Sequence, residues 1–201
     1  IFVTRLRKDS ASGGIDNYQV LEDAVRDSYG GVVWTHKIQE KQADICAVKF
    51  KKMETVNIVA ASLTSAGIIA IIFTDPLWLK LISAIVSFAT VYITAYYKSF
   101  DLQKLVASHK ATANKIIAVR DKYKVLLTEI KLQSDSVENL LTKYNELVKE
   151  TNGIYLEAPT TTDKAVEMAR EALKVKKDNT FTDEEIDSFL PQSLRRARNE
   201  Q

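Results

Sequence analysis

The side chains able to do chemistry are few in this 201-residue chain, and their spacing excludes most kinds of it. The two histidines, His36 and His109, and the one cysteine, Cys46, lie far apart in sequence. A lone thiol closes no intrachain disulfide, and two distant imidazoles make a poor metal site. No serine–histidine–acid set, phosphate loop or metal-ligand spacing occurs, so no enzyme, no metal and no cofactor is expected. His36 sits beside Lys37, Glu40 and Lys41, where ordinary helical side-chain pairs explain it. His109 falls at a helix seam, where a polar side chain fixes register, makes a buried hydrogen bond or titrates.

Two other groups of residues remain. Ser83, Ser87, Thr90 and Thr94 recur at spacings of four, three and four, which puts their hydroxyls on one helix face. Such a stripe can line a water-filled path, with Phe88 as a hydrophobic constriction that gates by dewetting. Equally, small hydroxyl residues let helices approach closely and hydrogen-bond across them. Asn57, Thr64 and Ser65 pose the same question in the preceding apolar run. The second group is cationic: Lys110, Lys115, Arg120, Lys122, Lys124 and Lys131 offer charge to an anionic ligand. Arg120, Lys122 and Lys124 do not share one face, however, and Asp121 and Glu129 interleave with them. A solvated helix surface is the competing reading.

The elements that carry these residues are set by an uneven distribution of charge. The net charge is only +2, so no binding to genomic nucleic acid is expected. Between Thr55 and Tyr97 only Asp75 and Lys80 are charged, whereas both flanks are rich in charge. Thr55 to Thr74 is a neutral run of 20 residues, about 30 Å of helix and the thickness of a bilayer core. Leu81 to Tyr97 is a second, with Lys80 placed to snorkel and Trp78, Tyr92, Tyr96 and Tyr97 placed for an interfacial belt. Asp75 as cap and Pro76 as first helical residue make the turn between them tight. A buried hairpin of a soluble protein is the competing reading. Lys41, Lys49, Lys51 and Lys52 precede the first run, and Lys98, Lys104, Lys110 and Lys115 follow the second. The positive-inside rule then puts both termini in the cytoplasm. Arg5, Arg7, Lys8 and Asp9 interrupt any apolar run near Ile1, so no secretory leader is expected there.

The expected fold is all-α: a two-helix transmembrane hairpin continuous with a cytoplasmic helical bundle, oligomeric. Residues 1–54 read as cytoplasmic helices, 55–97 as the hairpin, 98–150 as a long helix continuous with the second span, and 151–201 as short helices with a basic tail. From Leu102 through His109, Thr112, Ile116, Val119, Tyr123, Leu126 and Ile130 to Leu147, apolar and seam residues alternate by threes and fours, passing Gln133 and Tyr144. His109, Ile116, Val119, Tyr123 and Leu126 are candidate seam residues of an oligomer or bundle. The same phase runs back through Ala95, Val91, Phe88, Ala84 and Leu81, which predicts one continuous rod. Ile15 to Met53 is expected as helix, with a kink or break at Gly30-Gly31, and Trp34, Ile38, Ile45 and Val48 to pack it on the rod. Gly153 is expected as a helix stop. Asp163–Lys177, capped by Thr162, and Asp183–Leu190, capped by Thr182 and ended by Pro191, are expected as short helices; Arg195, Arg196 and Arg198 form the tail.

The segment WTHKIQEKQAD (Trp34 to Asp44), the two close apolar runs, YYKSFDLQKL after them, RDKYKVLLTEI (Arg120 to Ile130) and the ending TDEEIDSFLPQSLR (Thr182 to Arg195) resemble the SLATT family. These are two-transmembrane effectors associated with bacterial nucleotidyltransferases and nucleotide-sensing domains in antiphage defence. The resemblance covers nearly the whole chain. It implies a homo-oligomeric effector in the bacterial inner membrane that opens a pore on a nucleotide or oligonucleotide signal. Some relatives carry a fused sensor domain, for which these residues leave no room. A separate nucleotidyltransferase partner, or recognition by the helices themselves, is therefore implied. One hairpin encloses no path, so several copies are needed, and a tetramer is favoured. The competing function is a non-conducting membrane-anchored scaffold that recruits a cytoplasmic partner.

Overall fold

A computed structural model describes the side chains of residues 17–69, 76–96, 101–178 and 180–195, and the helical backbone at 14–16, 70–74 and 97–100. Asp75, Arg196 and Arg198 lie outside the described residues, as do the side chains of Tyr97 and Lys98. Among the described residues every regular element is helical.

The spine is α1, Gly14–Thr74, whose 61 residues extend about 90 Å. It runs through Gly30 and Gly31 without the expected break. Both glycines face open space, and Val25 and Val32, at 0% and 1% exposure, anchor the helix on either side. Packing outweighs a propensity cost of about 1 kcal/mol per glycine. One stripe follows the whole of α1. Leu21, Val25, Ser28, Val32, His36, Gln39, Ala43, Cys46, Phe50, Met53, Asn57, Ala60, Thr64 and Gly67 recur at spacings of three or four, and each is buried or half-buried. This corrects the expected packing face: Trp34, Ile38 and Ile45 are only half-buried, and Val48 is 69% exposed.

Against this stripe α2 (Leu77–Phe100) and then α3 (Leu102–Leu132) run antiparallel. Asn57 meets Thr94, Gln39 meets His109, and the Tyr18 hydroxyl donates to the Asp135 carbonyl just beyond α3. The expected continuous rod is interrupted between the two. Asp101 adopts a left-handed backbone (φ 38°, ψ 55°), and its carboxylate accepts from the Lys104 N–H at 3.1 Å, capping α3. The seam phase therefore does not carry back across it. Leu81, Ala84, Phe88, Val91 and Ala95 are exposed, while Leu79, Ser83, Val86, Thr90 and Ile93 are half-buried along α2.

The rod ends again at Gln133, also left-handed at φ 49°, and the chain reverses. The Ser134 N–H bonds back to the Glu129 carbonyl, and the Ser136 hydroxyl caps α4 (Val137–Glu157) through the Asn139 N–H. Lys143–Glu129, Lys122–Glu150 and Lys115–Glu157 pairs trace α4 back along α3. α4 continues past Gly153, the expected stop, to Glu157. After a short linker, α5 (Asp163–Arg170) passes into a π-helical turn, Glu171–Val175, in place of one α-helix to Lys177. Its buried Ala165, Ala169 and Ala172 lie against α1. The core of this four-helix bundle joins Leu21, Val25 and Val32 to Ile116, Val119, Tyr123, Leu126 and Ile130, closed over by Leu140 and Leu147. α6 (Asp183–Phe189) follows, with a complete capping box between Thr182 and Glu185.

Candidate functional site

The last third of α1 and the whole of α2 form an apolar pair that stands apart from the bundle. Among the described residues one segment, Leu77–Tyr96, is long and apolar enough to cross a membrane, with a mean hydropathy of 1.7 and none of it buried inside the fold. Its outward side chains include Trp78, Leu81, Ile85, Phe88 and Val91, and those of α1 include Ile58, Val59, Leu63, Ile68 and Ile69. An apolar coat of this extent is costly in water and favourable in hydrocarbon. The expected first run, Thr55 to Thr74, is the C-terminal end of α1, and its side chains from residue 70 onward lie outside the described ones.

Within the pair the hydroxyl stripe is turned largely toward α1. Ser83 lies against Gly67 so closely that a Cβ there would overlap its Oγ. The Thr94 hydroxyl donates to the Thr90 carbonyl at 2.8 Å and lies 3.3 Å from the Asn57 amide oxygen. Thr90 is half-buried and bonds to the Val86 carbonyl, and Ser87 is exposed. Thr64 and Ser65 likewise bond back to the carbonyls of Ala60 and Ala61. Phe88 is five residues from Ser83, hence about 140° around the helix, and is 76% exposed. It therefore lies off the Ser83 face, on the side of α2 turned away from α1. At the base of the pair, Phe50, Glu54, Asn57, Thr94, Asp101 and Leu102 surround a cleft of about 340 Å³, beside the break between α2 and α3.

A buried polar layer sits where α1, α3 and the linker to α5 meet. His109 Nδ1 is 2.6 Å from Gln39 Oε1, and Gln39 Nε2 donates to the Pro159 carbonyl at 3.2 Å. Gln42 Oε1 accepts from both the N–H and the hydroxyl of Thr162, at 2.9 and 2.8 Å, so Thr162 ties the linker down rather than capping α5 with its side chain. Lys37, almost wholly buried, reaches Glu40 at 3.0 Å and Asp178 at 3.5 Å. Burial lowers the pKa of both histidines, since a desolvated imidazolium is disfavoured. For His36 the Glu40 carboxylate opposes this, and Lys37 and Arg120 add to it. His36 Nδ1 is buried without a hydrogen-bond partner. The layer escapes a reading by apolar pattern because its members are polar, although their three-four spacing is present in the sequence.

His109, Ile116, Val119, Tyr123 and Leu126 come together on the buried face of α3, inside one copy's bundle. Burial raises the Tyr123 pKa, and its hydroxyl lies 3.3 Å from Thr151 Oγ1. The candidate cations do not converge. Lys122 pairs with both oxygens of Glu150 at 2.7 Å, Lys115 with Glu157 at 3.0 Å and Arg120 with Asp121 at 3.0 Å. Lys110 is exposed, and Lys124 borders a separate groove with Arg26 and Lys131. Among the described residues no cluster of three potential metal-binding side chains occurs.

A helical bundle carried on an outwardly apolar helix pair defines the class: an all-helical domain that holds, among the described residues, one segment long and apolar enough to cross a membrane. Residues 21–185 match the model of the SMODS and SLOG-associating 2TM effector domain family 4 (SLATT_4), and the chain belongs to that family. Comparison with curated proteins and with solved structures returned no match.

Proposed function

We propose that the chain is a membrane effector whose copies assemble into an ion channel or pore in the bacterial inner membrane. A nucleotide or oligonucleotide made by a partner nucleotidyltransferase regulates it, and its opening disrupts the membrane in antiphage defence, as abortive infection. The observation that carries this reading is the outward apolar coat on α2, none of which is buried within the fold. Both termini are cytoplasmic in this reading, because basic residues gather on the bundle side of the pair. One helix pair encloses no water-filled path, so the pore is shared among copies, four being the favoured number. Ser87, exposed at the edge of the hydroxyl stripe, is the residue of that stripe best placed to face it. Coupling runs through α1, which passes unbroken from the bundle into the apolar pair.

The alternative is a non-conducting anchor that recruits a cytoplasmic partner. It is favoured by one observation, the use of Ser83, Thr90 and Thr94 in packing toward or bonding within the α1–α2 pair. Ion flux through the purified protein in liposomes, with and without cyclic nucleotides and short oligonucleotides, separates the two. A channel gives flux that changes with one ligand and falls in Ser87→Leu. An anchor gives none under any condition from folded, inserted protein.

A further inference from the structure

Residues 158–178 lie on α1 as a strap, fastened at both ends and thinly packed between them. At one end Gln39 donates to the Pro159 carbonyl, and Gln42 accepts twice from Thr162. At the other the Asp178 carboxylate lies 3.5 Å from the ammonium of Lys37, a residue only 3% exposed. Between the two ends the buried side chains are three alanines, Ala165, Ala169 and Ala172. Val166, Met168 and Leu173 are half-buried, and Val175 is 73% exposed. The large apolar side chains that close the bundle, from Leu21 to Leu147, include none from this segment. Lifting the strap therefore leaves that core whole and returns polar groups to water, and Lys37 keeps its second partner, Glu40, at 3.0 Å.

The strap is also held away from the conformation its own sequence favours. The pattern from Asp163 to Lys177 suits one α-helix, yet the helix widens into the π turn at Glu171–Val175. Lys177 then takes a left-handed backbone, φ 54°, which is unfavourable for a residue with a Cβ. Across these two departures the Asp178 N–H meets the Ala172 carbonyl at 2.9 Å, and the Asp178 carboxylate meets Lys37. A π turn and a left-handed lysine at one end of one segment are strain that the ionic contact maintains. Without that contact a regular helix through Lys177 is the better conformation.

We propose that residues 158–178 are a releasable clamp on α1 with two positions. Seated, the segment carries the π turn and places Asp178 on Lys37. Released, it leaves α1 as one unit, loses the π turn, and uncovers Lys37 and Gln42 to water. The clamp bears on α1, the helix that continues into the apolar pair, and it is independent of whether that pair conducts.

The test is hydrogen exchange of the full chain in liposomes, with amine labelling of Lys37 read by peptide mass spectrometry. A released helix of this length frays in water, so its amides exchange. Amides of 165–173 are expected to share one protection factor, lower than that of 116–126. Asp178→Asn removes the ionic contact and lowers the shared factor about fivefold. Lys177→Gly removes the backbone strain and raises it about fivefold, and the double variant returns close to the wild type. Labelling of Lys37 by a succinimidyl ester slows to match in Lys177→Gly, which keeps both acids that Lys37 touches. Strap amides protected as strongly as 116–126 overturn the proposal, because the segment then leaves only with the whole bundle. A response confined to 171–178 also overturns it, since the end alone is then fraying.

Discussion

Gln39 fixes the proton of His109. Its Nε2 faces the Pro159 carbonyl, which can only accept, so its Oε1 must face the imidazole, and His109 Nδ1 must be the donor across their 2.6 Å contact. The neutral ring meets that demand with Nδ1 protonated, and burial favours the neutral ring. The same amide therefore joins α1, α3 and the linker to α5 into one polar layer at the centre of the bundle.

Acid should loosen that layer. Both histidine pKa values are lowered in the fold, so the unfolded chain binds more protons as the pH falls. Their contribution to stability is complete above the unfolded value of about 6.5 and is lost as the pH drops below it toward the folded pKa. The thermal midpoint of the bundle is expected to fall between pH 7.5 and pH 5.5. His36→Leu, which removes a buried ring whose Nδ1 has no partner, should flatten that decline and leave the midpoint at pH 7.5 little changed. An equally steep decline in the variant would show that His36 does not contribute.

Gln42 is expected to hold the C-terminal segment on the bundle. Its one oxygen accepts two hydrogen bonds from Thr162, which is otherwise exposed to water. Gln42→Ala should therefore cost about 1–2 kcal/mol, concentrated in α5 rather than spread through the core. Hydrogen exchange checks this: amides of 165–172 should speed up more than those of 116–126. Uniform acceleration would point to a packing defect in α1 instead.

The sequence makes some of this architecture legible and hides the rest for identifiable reasons. The alternation along α3 predicts its buried face from Leu102 to Ile130, with Leu105, at 37% exposure, the exception. That rhythm says nothing about direction. Ile130 and Val137 are seven residues apart, one heptad, so a reversal between them leaves the pattern intact while the chain turns back on itself. The α1 stripe is hidden in the opposite way, since Ser28, His36, Gln39 and Asn57 occupy positions where an apolar search expects leucine. The break at Asp101 leaves no compositional mark at all, because a left-handed aspartate reads like any helical one. Of the candidate site, the hydroxyl stripe was visible as a stripe, but only the neighbouring helix shows which way it faces.

Gly67 is predicted to set the spacing of the apolar pair. A Cβ at this position would overlap Ser83 Oγ, the mobile end of a small side chain, while Ser83 Cβ stays at an ordinary 3.5 Å. Gly67→Ala should therefore be tolerated after the serine hydroxyl rotates. Gly67→Leu brings bulk that rotation cannot accommodate, and the helices must part, at a cost of about 1–3 kcal/mol. Spin labels or cysteine crosslinks between 60 and 90 would report the separation. Ser83→Gly should recover part of it, and an unchanged distance in Gly67→Leu would mean that the pair is not packed through this contact.

Asp101 is expected to hold the angle between α2 and α3. Two properties keep it there: tolerance of the left-handed backbone, and a carboxylate that caps the Lys104 N–H. Asparagine retains both and should behave like the wild type. Glycine loses the cap but relieves the backbone, so the two changes largely offset each other. Alanine loses the cap and retains the strain, about 1 kcal/mol from each source, for about 2 kcal/mol in all. Hydrogen exchange at residues 102–105 should rank the variants in that order, with alanine fastest. If alanine exchanges no faster than aspartate, the helices have joined across position 101. The same variant would then show α2 and α3 as the continuous rod that the sequence pattern suggests.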